Sequence, residues 1–84
     1  MEALYRYNKP GAWVAIFPDR IELTRGMLWA KKTHTILIGA VSGLSVLGFG
    51  GSILRIEAGG RYYDVEVGIG AASKIRERIL SALP

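Results

Sequence analysis

The sequence contains no cysteine and only one histidine. Without cysteine there can be no disulfide framework, no thiolate metal ligand and no thiol nucleophile. The single histidine, His34, has no second imidazole with which to complete a site, so we predict neither a metal site nor a catalytic role for it. The lack of cysteine also suits a reducing compartment, and we expect a cytoplasmic location.

Groups that could carry catalysis are equally scarce. Asp64 and Glu66 share one face of a predicted strand, but that face is expected to be solvated, which argues against an acid–base pair. Residues 68–70 (GIG) lie between a strand and a helix, as a dinucleotide-binding turn would. That motif needs a second parallel strand with an acidic residue about 20 positions on, and the printed sequence has none. We therefore predict no enzyme activity, no cofactor and no small-molecule substrate.

The 84 residues are the length of one domain, and half of them are hydrophobic. The formal net charge is +4. A small, unclustered surplus of this kind argues against nucleic-acid binding, which calls for a denser basic patch. It is compatible with attraction to anionic lipid or to an acidic partner.

Apolar residues alternate with polar ones through most of the chain, which predicts strands within residues 4–67. The segment 13–17 has no polar residue and is predicted to be buried on both faces. Around the glycine turn at residues 58–60, Tyr62, Asp64 and Glu66 are predicted to face solvent. We expect six to seven strands, at residues 4–7, 13–17, 20–25, 33–38, 41–47, 53–57 and 62–67.

The period then changes from two to about 3.6. Apolar residues recur at spacings of three and four, which predicts an amphipathic helix over about residues 71–83. The buried stripe is formed by Ala72, Ile75, Ile79, Ala82 and Leu83. The predicted fold class is therefore mainly β (α+β): one domain over residues 1–84, an antiparallel barrel or sandwich with a C-terminal helix.

One stretch allows a different interpretation. Residues 33–54 contain no formal charge, and residues 36–54 are about as apolar as a membrane-spanning helix in a window of about 19 residues. The alternative to core strands is therefore a single-span membrane protein with residues 36–54 in the bilayer. Glycines and serines in the run weaken a helix, and the flanking strands need sheet partners, so we favour strands.

Basic residues and a tryptophan occupy several predicted loops. If alternate connections of an antiparallel meander meet at one end, they form a basic rim suited to an anionic surface. The commoner arrangement is ordinary solubilising charge, with the tryptophan folded onto the core. The residues of this predicted basic rim are Lys9, Trp29, Lys31, Lys32 and Arg61.

The order of elements resembles the bacterial pleckstrin-homology-like (PH-like) domains, in which about seven antiparallel strands are closed by a C-terminal helix. The resemblance covers residues 12–83, with Leu37 in place of the family's usual proline. It is carried by residues 17–23 (FPDRIEL), 35–44 (TILIGAVSGL), 52–56 (SILRI) and the helix at 71–83. It implies a non-enzymatic module that acts in protein contact, self-association or placement beside a membrane.

We therefore predict an interaction module that binds protein partners, self-associates, or does both. The first alternative is peripheral binding of anionic lipid through the basic rim, which would make the protein membrane-associated.

Overall fold

A computed structural model describes residues 2–26 and 29–84. Strands β1–β4 form one antiparallel sheet in the order β1-β2-β3-β4, and β5–β7 form a second in the order β5-β6-β7. One helix, α1, follows. The elements are β1 (Tyr5–Lys9), β2 (Ala12–Ile16), β3 (Arg20–Arg25), β4 (Lys32–Leu37), a 3-10 turn (Ile38–Ala40), β5 (Val41–Leu47), β6 (Ile53–Ala58), β7 (Arg61–Glu66) and α1 (Ala71–Ala82).

The first sheet is a meander with short turns. β1 is longer than its alternating pattern suggested, because Asn8 and Lys9 pair with Trp13 and Ala12. The connection to β2 is thereby reduced to a two-residue turn, whose second residue, Gly11, has a φ of 87°. Such a turn needs positive φ, which glycine adopts without steric cost.

The prediction that residues 13–17 are buried on both faces was wrong. Burial alternates along β2, with Val14 and Ile16 in the core and Trp13 and Ala15 only half-buried. On the outer face, the Trp13 ring is contacted by the Lys31 ammonium, 4.5 Å from its centroid. A strand made only of apolar residues can therefore have one face buried in the core and the other face covered only in part by neighbouring side chains.

The second sheet follows the predicted pattern closely. Leu54, Ile56 and Val65 are buried on its inner face, while Tyr62 and Glu66 on the outer face are exposed. The register between β5 and β6 shifts at Val41–Gly43, so the expected irregularity at Gly43 is a bulge.

The uncharged run folds as strands. It comprises β4 from its second residue onward, the 3-10 turn, β5, a glycine loop and the start of β6. Ile38, expected to end a strand, begins the turn instead, and its amide donates to the Asp19 carbonyl at 3.0 Å. No helix in residues 2–26 or 29–84 is long and apolar enough to cross a membrane.

The helix completes the core between the sheets. It begins after Gly70, whose φ is 82°, and packs against β5 and β6. Of its predicted stripe, Ala72, Ile75 and Ile79 are fully buried, whereas Ala82 and Leu83 are partly buried against the core and Leu83 follows the end of the helix. One core cluster runs through both sheets and the helix. The two sheets do not join into a closed barrel in the described part of the chain, so the fold is a mainly β sandwich with a C-terminal helix.

Candidate binding surfaces

Lys9 and Lys31 of the predicted basic rim lie at the same open pocket. Its volume is about 550 Å³, and it is lined by Asn8, Lys9, Pro10, Gly11, Trp13, Gly26 and Lys31. The Lys31 ammonium lies 4.5 Å from the centroid of the Trp13 ring, within range of a cation–π interaction. Trp13 was missing from the predicted rim because its run of apolar neighbours had placed it in the core.

Trp29 is 85% exposed, so the alternative that it folds onto the core is wrong. It lies in the β3–β4 connection, two residues before Lys31. Lys32 is exposed at the first position of β4, where it pairs with Arg25. Met27 and Leu28 of the predicted loop lie outside the described residues.

Arg61 belongs to the other sheet and is exposed at the first position of β7. Two residues later, the Tyr63 ring lies edge-on to His34 of β4, with 5.5 Å between the ring centroids. Lys9 and Lys31 line one pocket together, and Arg61 is not among the residues that line it.

A charged network joins the two sheets. The Arg25 guanidinium donates to the backbone carbonyl of Asp64 in β7, and it also lies 3.3 Å from His34 Nε2. An arginine can only donate, so His34 Nε2 is the acceptor in this pair. Arg25 thus covers part of the free edge of β7.

The Asp64 side chain is held by a second arginine. Arg55 donates to both carboxylate oxygens, at 2.8 and 3.0 Å. This two-point hydrogen bond lowers the pKa of Asp64 below its ordinary value and raises the pKa of Arg55. Asp64 is therefore a structural partner of Arg55 and not a free solvated charge.

The edge strand β5 forms a second candidate surface. Its seven residues, VSGLSVL, carry no charge. Beside it, a groove of about 150 Å³ runs along α1, lined by Val41, Ser42, Gly43, Leu44, Arg76, Leu80 and Leu83. Arg76 Nε makes a long contact of 3.4 Å with the Leu44 carbonyl. The sequence signal for this surface was the uncharged run, but its position at a sheet edge could not be read from that run.

Within residues 2–26 and 29–84, no group of three or more histidine, aspartate or glutamate side chains is placed to hold a metal ion.

No protein-family model, curated protein or solved structure matches this chain.

Proposed function

We propose that the chain is a non-enzymatic PH-like interaction domain that binds a protein strand at the free edge of β5, with a second copy of itself as the partner. The 4-stranded and 3-stranded sheets followed by one helix support the PH-like part of this proposal. The observation that carries the binding part is the uncharged edge of β5.

The four edge strands differ in how they are protected. β1 and β4 carry lysines, and β7 carries three charged side chains and is partly covered by Arg25. Charges and covering groups on an edge oppose pairing with another chain. β5 has neither a charge nor a proline, and beyond its bulge the segment Leu44–Leu47 keeps a regular register with β6. Apart from the long contact of Arg76 with its Leu44 carbonyl, it is therefore the least protected of the four edges.

The groove beside β5 supplies apolar contacts for such a strand. Leu80 of α1 is 43% exposed and lines this groove together with Leu44. The Arg76 contact to the Leu44 carbonyl is long for a hydrogen bond, so an incoming amide can replace it at small cost. Backbone pairing would supply affinity, and the groove would supply selectivity.

The proposal is tested by a substitution that places a charge on the β5 edge and leaves the monomer folded. Ser45 is exposed and pairs with Arg55 in β6. Within one molecule, Ser45→Glu therefore places a second carboxylate beside Arg55. In a dimer joined through two β5 edges, the same substitution would bring two carboxylates together, and their repulsion would oppose pairing. The matched control is Ser73→Glu, which adds the same charge at the exposed first turn of α1, where a carboxylate is tolerated.

In sedimentation equilibrium at micromolar concentration, we expect the wild type and Ser73→Glu to dimerise and Ser45→Glu to remain a monomer. A wild-type chain that stays at 9.2 kDa at high concentration would contradict self-association. A dimer that tolerates Ser45→Glu would place the contact elsewhere.

Peripheral binding of anionic lipid through the basic rim is the second candidate function. It is favoured by the exposed indole of Trp29 and by the convergence of Lys9 and Lys31 at one pocket. Each lysine near an anionic surface contributes about 1 kcal/mol at most, and less as salt rises. Co-sedimentation with anionic liposomes tests it: Lys31→Glu/Lys32→Glu should bind more weakly than the wild type. Equal binding by both proteins, or none by either, would remove this candidate.

A further inference from the structure

Two large apolar side chains stand on adjoining loop tips. Phe49, in the β5–β6 loop, is 88% exposed, and Ile69, in the β7–α1 loop, is 72% exposed. The loops are joined by a hydrogen bond from the Gly70 amide to the Gly50 carbonyl at 3.0 Å. A Cβ at position 50 would lie only 2.8 Å from Ile69 Cγ2, so the close approach depends on glycine there. We call residues 48–52 and 67–70 the apolar tip.

The backbone of the apolar tip satisfies many of its own hydrogen bonds. The Gly51 amide donates within its loop, and the amides that follow β7 donate to the neighbouring loop, to a tyrosine hydroxyl or within their own turn. Backbone groups paired in this way can enter an apolar medium without the cost of an unsatisfied donor. The pairs are Gly51 to Gly48, Val67 to Ser52, Gly68 to the Tyr7 hydroxyl, Gly70 to Gly50 and Ala71 to Gly68.

Two basic side chains of α1, Lys74 and Arg78, lie beside the tyrosines next to the tip. The tip itself carries no charged residue. Lys74 lines a pocket with Ile69, Tyr5 and Tyr7, and the Arg78 guanidinium lies 5.3 Å from the Tyr5 ring centroid. Glu66, the nearest carboxylate in sequence, instead lines a pocket with Gly11 and Arg25.

We propose that the apolar tip inserts into the interface of an anionic bilayer, with Phe49 and Ile69 among the lipid chains and Lys74 at the phosphates. Exposed apolar side chains on loops with many paired backbone groups suit the interface of a bilayer, and the neighbouring cations suit anionic lipid. This contact uses no residue of the basic rim and does not depend on strand pairing at β5.

The test is co-sedimentation of the full chain with two kinds of vesicle. One is phosphatidylcholine alone, and the other contains roughly one-third phosphatidylserine. The variants are Phe49→Ser/Ile69→Ser, which removes the apolar groups, and Lys74→Glu, which reverses the flanking charge. The control is Leu37→Ser, which removes a 62% exposed side chain from β4. Thermal melts check that all four proteins are folded.

We expect the wild type to prefer the anionic vesicles and the double serine variant to partition at least about tenfold less, because two apolar side chains no longer leave water. Lys74→Glu should weaken binding to anionic vesicles only, and Leu37→Ser should bind like the wild type. The proposal is overturned if the wild type binds neither kind of vesicle, or if it binds both kinds equally well. It is also overturned if the double serine variant binds like the wild type, or if Leu37→Ser loses as much.

Discussion

Truncation of Ile79 should destabilise the protein severely, because this side chain joins the helix to the core. Ile79 is 0% exposed in the cluster shared by α1 and both sheets. Ile79→Ala removes three carbons, worth about 0.8 kcal/mol each, or about 2.4 kcal/mol in transfer free energy. The remaining cavity raises the cost to roughly 3–4 kcal/mol. A chain of this length has about 4–13 kcal/mol of total stability, so much of it would be lost.

The matched control is the next residue of the same helix. Leu80→Ala also removes three carbons, but Leu80 is 43% exposed and should cost about 1 kcal/mol or less. Urea denaturation followed by circular dichroism measures both free energies of unfolding. Ile79→Asp should not fold, since a buried unpaired charge costs several kcal/mol, whereas the exposed Glu77→Ala should be nearly silent. Equal costs for Ile79→Ala and Leu80→Ala would mean that the helix is not docked.

Three further predictions concern stability. Arg55 lowers the pKa of Asp64, so their pair stabilises the fold at neutral pH, and this contribution is lost as the pH falls through the folded-state pKa of Asp64. Urea midpoints of the wild type should therefore decline more on acidification than those of Asp64→Asn, and parallel declines would contradict this. Gly50→Ala should lower the melting temperature more than Gly59→Ala. Both glycines have positive φ, but only at position 50 would the added Cβ lie against another side chain, that of Ile69. Equal losses of melting temperature would exclude this steric clash. Tyr7→Phe leaves a loop amide without its acceptor and should cost about 1 kcal/mol in urea denaturation; an unchanged midpoint would mean that water replaces the hydroxyl.

The secondary structure was largely predictable because periodicity is a local property. The pattern of apolar and polar residues predicted β3 and β5 with their observed bounds. The change of the apolar repeat from two to about 3.6 residues predicted α1 to within one residue. The prediction failed at Ile38, which begins the 3-10 turn although its amide still donates to the Asp19 carbonyl in register with the β3–β4 pairing. It failed at Trp13 because apolar character does not reveal which face of a strand is covered.

The binding surfaces were less predictable, because they depend on residues far apart in the chain. The sequence pointed to lysines and a tryptophan in the basic rim, and Trp29 is indeed exposed. It did not indicate the contact of Lys31 with Trp13, nor that Arg61 belongs to the second sheet while Lys9 and Lys32 belong to the first.

By itself, the sequence determined the mainly β character, the strand positions, the helix and its buried stripe, because burial on one face imposes a repeat that each segment carries within itself. Only the tertiary structure decided that β5 is an edge, that Arg25 reaches across to β7, and that the loops carrying Phe49 and Ile69 are hydrogen-bonded to each other. Strand order and loop contacts arise from pairing between distant segments, and a periodic pattern contains no information about which neighbour it will meet.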